Sequence, residues 1–89
     1  MLKESDFVKV RTAVPTSAAA AMRAALGKAG AGEQGKYSFC SSTIKSLGRF
    51  LPLPGAEPSL GRVGELAEVE EEIIETICHK NKFEIVFRI

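Results

Sequence analysis

The stretch from Gly35 to Gly64 constrains the fold of this chain more than any other part of the sequence. Nearly half of its residues are Gly, Pro or Ser, and such a composition does not form a helix, because Gly disfavours ordered elements and Pro lacks a helical N–H. It predicts a strand from Tyr37 to Ile44, a turn at Lys45 to Gly48, a returning strand from Arg49 to Leu53 and then a loop. The two strands are expected to pair as a hairpin, with Pro52 and Pro54 limiting the second strand to a sheet edge or to a frayed end.

Size and charge exclude several classes of protein. The chain has 89 residues, of which 45% are apolar and 26% are charged, and its net charge is +1. This length predicts one domain with a small core, for which oligomerisation is a common source of stability. Near-neutral charge gives no electrostatic reason to expect nucleic acid or a membrane surface as a partner. Because no signal-peptide core or membrane-length apolar run is present, we expect a cytoplasmic protein.

The segments before this stretch are predicted to be a strand and a helix. Residues from Phe7 to Val14 alternate between the two faces of a half-buried strand, which ends at Pro15. A helix follows from about Ser17 to Ala29, since its consecutive alanines have high helix propensity. The expected N-cap is Thr16 or Ser17, and the expected left-handed end is formed by Gly30 and Gly32.

The segments after it complete an α+β pattern. We predict a short extended piece from Glu65 to Val69 and a strand from Glu71 to Cys78. The periodicity of His79 to Ile89 fits a helix and a strand equally well, but its β-branched and aromatic residues favour the strand. The order of elements is typical of a ferredoxin-like sandwich, in which helices cover one face of an antiparallel sheet. The other face is bare, and in many small proteins of this kind oligomerisation buries it.

Several Gly and Pro positions, taken in order, resemble a known pattern. They are Gly-Lys-Tyr-Ser-Phe-Cys-Ser at 35–41, Gly-Arg-Phe at 48–50, Pro-Gly-Ala-Glu-Pro at 54–58, Gly61 and Glu65, together with Gly-Ala-Gly at 30–32 and Ile-Glu-Thr at 74–76. Over nearly its whole length, the chain resembles the inserted domain of the NGG-one interacting factor three-like family (the YqfO type) and short free-standing proteins similar to that insert. The resemblance implies a ferredoxin-like fold similar to that of CutA and PII signal proteins, and it implies a trimer.

The sequence departs from the family pattern in two places. The family usually continues with a helix, a His-Pro-Tyr-Glu motif and a final strand, whereas this sequence stops at Ile89, and Ile73 stands where a basic residue is common. The resemblance favours a helix for Asn81 to Ile89, against the local strand pattern, and the sheet would then lack its last strand and leave an edge unpaired. The family's dinuclear metal site lies outside the insert, so the resemblance transfers no nucleotide-hydrolase activity.

Metal binding and thiol catalysis have few candidate residues. Zinc or copper sites usually need three or four convergent ligands, and adjacent Cys78 and His79 on a strand point apart. Cys40 as a nucleophile with His79 as its base lacks an orienting third group. We therefore predict no cofactor and no catalytic residue. The weak metal candidates are Cys40, Glu75, Cys78 and His79, with Glu75 joining only after trimer assembly.

The loop from Leu53 to Gly64 is the candidate ligand or interface element. Its glycines free backbone N–H groups, and Arg62 within it and Arg49 before it add positive charge, but it lacks phosphate-loop spacing and does not open a helix. The alternative is a shaped loop that joins subunits, with Phe50 as its anchor. The candidate residues for either role are Tyr37, Cys40, Arg49, Phe50, Gly55, Pro58, Gly61 and Arg62.

The function predicted from these observations is a non-enzymatic binding or regulatory module that forms a symmetric oligomer, with a trimer favoured. The two strands of the predicted hairpin would build the subunit contact. The alternative is a protein that binds a small molecule, such as a nucleotide, or a divalent metal between its subunits. We interpret the glutamates as a solvated face, because acid–base work by paired carboxylates needs burial that separates their pKa values. They are Glu68, Glu70, Glu71, Glu72 and Glu75.

Overall fold

The computed structural model describes residues 6–58 and 61–89, and it has the α+β architecture that the sequence predicts. In this part of the chain, three strands form an antiparallel sheet that packs against two helices. Neither helix is long and apolar enough to cross a membrane. Residues 1–5 and residues 59–60 of the predicted loop lie outside the described residues. The elements are β1 (Phe7–Pro15), α1 (Thr16–Lys28), β2 (Ser42–Phe50), β3 (Ala67–His79), a 3₁₀ turn (Lys80–Lys82) and α2 (Phe83–Phe87).

Strand β3 is the centre of the sheet. The strand order is β1-β3-β2, and both neighbours run antiparallel to β3. Ile74 lies opposite Thr12 on one side and opposite Thr43 on the other. The part of β3 from Glu71 to Glu75 is paired on both sides, so its glutamates lie in the middle of the sheet. The predicted solvated face is therefore confirmed for Glu68 and Glu70, which are exposed, and wrong for Glu71, Glu72 and Glu75, which are half-buried.

The core lies between one face of this sheet and the helices. Alternate residues of β3 are buried on that face, and Ile74 has no exposed surface. Ala19 of α1 is also completely buried, because a methyl side chain lets the helix approach the sheet closely. The buried residues of the described part are Val14, Ala19, Leu26, Ala31, Ile74, Cys78 and Val86, with Thr76 among them.

Helix α1 ends as predicted but begins differently. Gly30 has a φ of +101°, its N–H donates to the Gly27 carbonyl, and the Ala31 N–H donates to the Leu26 carbonyl, as in a Schellman motif. The predicted side-chain N-cap at Thr16 or Ser17 is wrong, because β1 runs directly into the helix. Pro15 occupies the cap position, and no side chain caps the first turn.

The predicted hairpin is wrong. Strand β2 runs without interruption from Ser42 to Phe50 and pairs along its whole length with β3, so the segments at 37–44 and 49–53 do not pair with each other. Tyr37 forms only an isolated bridge with Gln34. Gly48 does not turn the chain. It pairs with Val69, and a glycine in a strand leaves room for a neighbouring group.

The C-terminal part corrects one prediction and confirms another. The two extended pieces predicted at 65–69 and 71–78 are one strand, β3, because β2 flanks its first part and β1 its last part. The segment after His79 is helical, as the resemblance favoured over the local strand pattern. Val86 of α2 is buried in the core, while the Phe83 and Phe87 rings stack with centroids 5.6 Å apart.

Candidate ligand cleft and interface face

The face of the sheet opposite the helices has no covering layer among residues 6–58 and 61–89. Side chains alternate between faces along each strand, so the neighbours of the buried Ile74 point to this side. Its central row consists of Ala13, Ile73 and Ile44, which lie directly opposite one another on the three strands. Ile44 is 51% exposed. This uncovered face therefore presents an apolar row that another chain can bury.

One end of the uncovered face is charged and internally paired. Glu75 accepts contacts from Arg11, whose Nε lies 3.4 Å from Oε1, and from Lys9, whose Nζ lies 4.0 Å from Oε2. Both cations are more than half exposed, and exposed pairs of this kind contribute at most about 1 kcal/mol. These contacts place opposite charges together at the border of the apolar row.

Two other glutamates of β3 also have arginine partners. Arg23 of α1 reaches Glu72 at 2.9 Å and Thr43 at 3.3 Å, and the Glu72 side chain is only 12% exposed. Arg49 reaches Glu68 at 3.1 Å on the exposed surface. Glu72 therefore ties α1 to the sheet, in contrast to the solvated role predicted for it.

Glu71 differs from these glutamates. Its side chain points to the uncovered face and the residue is half-buried. Within the described part of the chain, no side chain forms an ion pair or hydrogen bond with its carboxylate. Glu70 also has no such partner there, but it is exposed and points to the helix side.

A cleft of about 400 Å³ opens beside Glu71 at the end of β2. Its volume lies within the range of small-molecule sites. Two backbone hydrogen bonds shape the loop that forms one wall, from the Ala56 N–H to the Leu53 carbonyl at 3.0 Å and from the Gly64 N–H to the Pro52 carbonyl at 2.8 Å. The lining residues are Pro15, Phe50, Leu51, Pro52, Ala56, Pro58, Val69 and Glu71.

The structure brings only some of the predicted loop residues together. Phe50 and Pro58 line the cleft, and Gly61 lies against the Phe50 ring with a φ of +81°. Gly55 has a φ of +95° in the turn of the loop, and Arg62 accepts the Glu65 N–H through its carbonyl. Arg49 points to the opposite side of β2, where it meets Glu68. Tyr37, which is 75% exposed, and Cys40 precede the other end of β2.

Sequence reasoning did not find the floor of the cleft. Val69 and Glu71 belong to β3, which follows the loop, whereas Pro15 ends β1 and is distant from the loop in sequence; pairing of the strands brings all three beside Phe50. The one local signal was Gly48, a glycine inside a strand, because such a glycine often marks the close approach of another group. A methyl group at Gly48 would overlap the Glu71 carboxylate.

The weak metal candidates fall into two places. Cys40 and Glu75 line a second cavity, of about 300 Å³, at the charged end of the uncovered face. Cys78 points into the core with 1% exposure, and this burial raises the pKa of its thiol above the usual value. His79 points the other way, with its ring 5.6 Å from that of Phe7 and its Nδ1 accepting the Asn81 N–H.

This arrangement separates the adjacent Cys78 and His79 side chains, as expected for successive residues of a strand. Considering only the residues that the structure describes, no group of three or more His, Cys, Asp or Glu side chains is close enough to hold a metal ion. The Cys40 thiol lies at the limit of a weak contact with the Ser38 carbonyl, at 4.0 Å.

Comparison with known proteins relates the chain to one segment of larger proteins. No protein-family model matches it. It is 45% identical over 73 residues to the GTP cyclohydrolase 1 type 2 homolog of Bacillus subtilis, covering 82% of this chain and 20% of that protein. It is 42% identical over 74 residues to the protein of the same name from Mycobacterium tuberculosis, covering 83% and 20%.

A solved structure shows the same relation. The crystal structure of a Bacillus cereus protein related to NIF3 matches 92% of this chain and 20% of its own chain, with 38% identity and a TM-score of 0.77. The chain thus spans about a fifth of the length of these relatives. These matches support the NIF3-like resemblance found in the sequence.

Proposed function

We propose that this chain is a non-enzymatic binding or regulatory module that self-associates through the uncovered face of its sheet. The observation that carries the proposal is the apolar row of Ala13, Ile73 and Ile44, which no described element covers. A trimer is the assembly that the sequence resemblance implies. A cytoplasmic location remains a prediction.

The finer fold assignment is part of this proposal. The order β1-β3-β2, with helices on one face, supports a ferredoxin-like sandwich of the CutA and PII type. In such a sandwich the face without helices is the surface available for contact between copies. The proposed contact centres on Ile44 and Ile73 rather than on the predicted hairpin, which does not form.

The energetics of this contact favour association but require a sizeable surface. Burying an aliphatic side chain contributes about 1.5–3 kcal/mol, whereas association loses at least about 4 kcal/mol of translational and rotational free energy. The apolar row therefore needs additional exposed residues on the same face. Phe7, which is 42% exposed at the start of β1, points to that face.

A matched pair of variants on one strand tests this surface. Ile44 and Leu47 are similarly exposed aliphatic residues of β2 that point to opposite faces. We expect Ile44→Asp to shift sedimentation to the single-chain mass, since a carboxylate would be buried at the contact, and Leu47→Asp to leave the assembly unchanged. If the two variants sediment alike, the uncovered face is not the contact.

The alternative function is binding of a small molecule or a divalent metal at a subunit boundary. The cavity that Cys40 and Glu75 share on the uncovered face favours it, and the relatives' name refers to GTP. Calorimetric titration of Zn²⁺ and of GTP into wild type and Cys40→Ala distinguishes metal binding from nucleotide binding. Zn²⁺ heat that Cys40→Ala abolishes would support the metal site, whereas no heat with either ligand would remove this alternative.

A further inference from the structure

A half-buried carboxylate, that of Glu71, lies at the floor of the cleft beside Phe50, and no described residue is its counter-ion. Glu71 is directly opposite Pro15 on β1 and Ser46 on β2, and neither residue carries a charge. The next residues of β3 on that face, Val69 and Ile73, are apolar. The Glu71 side chain is therefore the one negative charge that the cleft-lining residues contribute.

The strand beside Glu71 makes room for this carboxylate. Gly48 lies opposite Val69 on the same face, and any side chain there would overlap the Glu71 oxygen atoms. The nearby Lys45 alternates to the helix side of β2 and forms no ion pair with Glu71. The carboxylate is thus available to a group that enters the cleft.

The walls of the cleft favour a positive charge on the group that enters. Prolines have no N–H donor, and three of them, Pro15, Pro52 and Pro58, line the cleft, so these walls offer little to an anion. The Phe50 ring attracts cations through its negative face, and a carboxylate forms charge-assisted hydrogen bonds with an ammonium group. The remaining lining atoms are largely apolar and suit the body of the same ligand.

We propose that this cleft binds a small organic cation, a primary ammonium group carried on an apolar body, with Glu71 as its counter-ion. Its lining residues come from one copy of the chain, so the proposal does not depend on self-association. A lysine or arginine side chain of a second copy is the competing occupant, and the test below separates the two.

Titrations monitored by ¹⁵N amide NMR test the ligand class with three probes of similar shape. They are phenethylammonium, the neutral 2-phenylethanol and the anionic phenylacetate. We expect saturable shifts with phenethylammonium at Ala56 and Val69, and binding of both other probes weaker by about fivefold or more, the equivalent of about 1 kcal/mol. Equal binding of the neutral probe, or no binding of the cation, would overturn the proposal.

Glu71→Gln removes the charge, and Glu70→Gln is its matched control on the opposite side of β3. We expect Glu71→Gln to weaken phenethylammonium binding by about fivefold or more and Glu70→Gln to leave it unchanged. Gly48→Ala, which places a methyl group where the carboxylate lies, should also weaken binding. Equal effects of the two glutamine variants would contradict a role for Glu71.

The mass of Glu71→Gln in solution shows whether the cleft instead holds a lysine or arginine side chain of a second copy. If the wild type does not bind phenethylammonium and Glu71→Gln dissociates the assembly, the carboxylate belongs to a contact between copies and the proposal is wrong. Failure of the Ile44→Asp experiment, by contrast, affects only the proposed self-association.

Discussion

At the scale of the residue, the buried Cys78 makes the stability of the fold depend on alkaline pH. Burial of Cys78 raises the pKa of its thiol in the folded chain. Above about pH 8.5 the unfolded thiol loses its proton while the folded one retains it, so the free energy of unfolding should fall by up to about 1.4 kcal/mol per pH unit.

Urea denaturation at several pH values measures this effect. We expect Cys78→Ala to lose the Cys78 part of the alkaline decline and Cys40→Ala to retain it. The same decline in Cys78→Ala as in the wild type would show that other groups produce it.

Gly32 is a residue whose replacement should be damaging. It has a φ of +82°, its N–H donates to the Ile77 carbonyl, and its carbonyl accepts the Cys40 N–H. A Cβ atom there would overlap the Cys40 backbone, which cannot move aside like a side chain. We expect Gly32→Ala to lower the free energy of unfolding by about 3 kcal/mol, from strained backbone and overlap together.

Gly35 supplies the matched control for this effect. It also has a positive φ, of +58°, but an added Cβ would meet no atom within 4 Å. Gly35→Ala should therefore cost only about 1 kcal/mol. Equal losses for the two variants in urea denaturation would mean that overlap with Cys40 is unimportant.

At the scale of the element, the Arg23–Glu72 ion pair joins α1 to the sheet. Since the Glu72 side chain is 12% exposed, replacing it with Gln leaves Arg23 without its charged partner in a partly buried site. We expect Glu72→Gln to lower the free energy of unfolding by about 1–2 kcal/mol. Glu68→Gln, which breaks the exposed pair with Arg49, should change it by less than about 0.5 kcal/mol. A larger loss of stability for Glu68→Gln than for Glu72→Gln in thermal denaturation would contradict the role of Glu72 in joining α1 to the sheet.

The sequence pattern predicted correctly those helices and strands whose formation depends on residues close to one another in the chain. The Ala-rich helix and its glycine end follow from intrinsic propensity and backbone freedom, and both are present. Strand β2 was divided in error, because Gly48 was interpreted as a turn when long-range pairing with β3 keeps it extended. For α2 the residues fit two periodicities, and only the resemblance to a family distinguished them.

The candidate site was predicted only in part, for the same reason. Phe50 and Pro58 were recognised from the Gly and Pro pattern of the loop, and they do line the cleft. Glu71 was interpreted as one of several solvated glutamates, since nothing local shows that β1 and β2 flank it on both sides. Which glutamates have arginine partners depends on how β1, β2 and β3 are aligned with one another. The local pattern of one sequence does not show that alignment.

At the scale of the whole molecule, the described part has one covered and one uncovered sheet face. The fully buried core consists of a few mostly small side chains, and small chains bury a limited share of their surface. The exposed row along Ile44 and Ile73 is therefore a surface on which the described part of the sheet can bury more apolar area. We therefore expect the chain to self-associate through this face.

The measurement that tests this claim most directly is the mass of the wild-type chain in solution, by size exclusion with light scattering over a range of concentrations. We predict a mass near three times the 9.6 kDa of one chain at the higher concentrations. A folded chain that keeps a mass of 9.6 kDa up to the limit of its solubility would contradict the account.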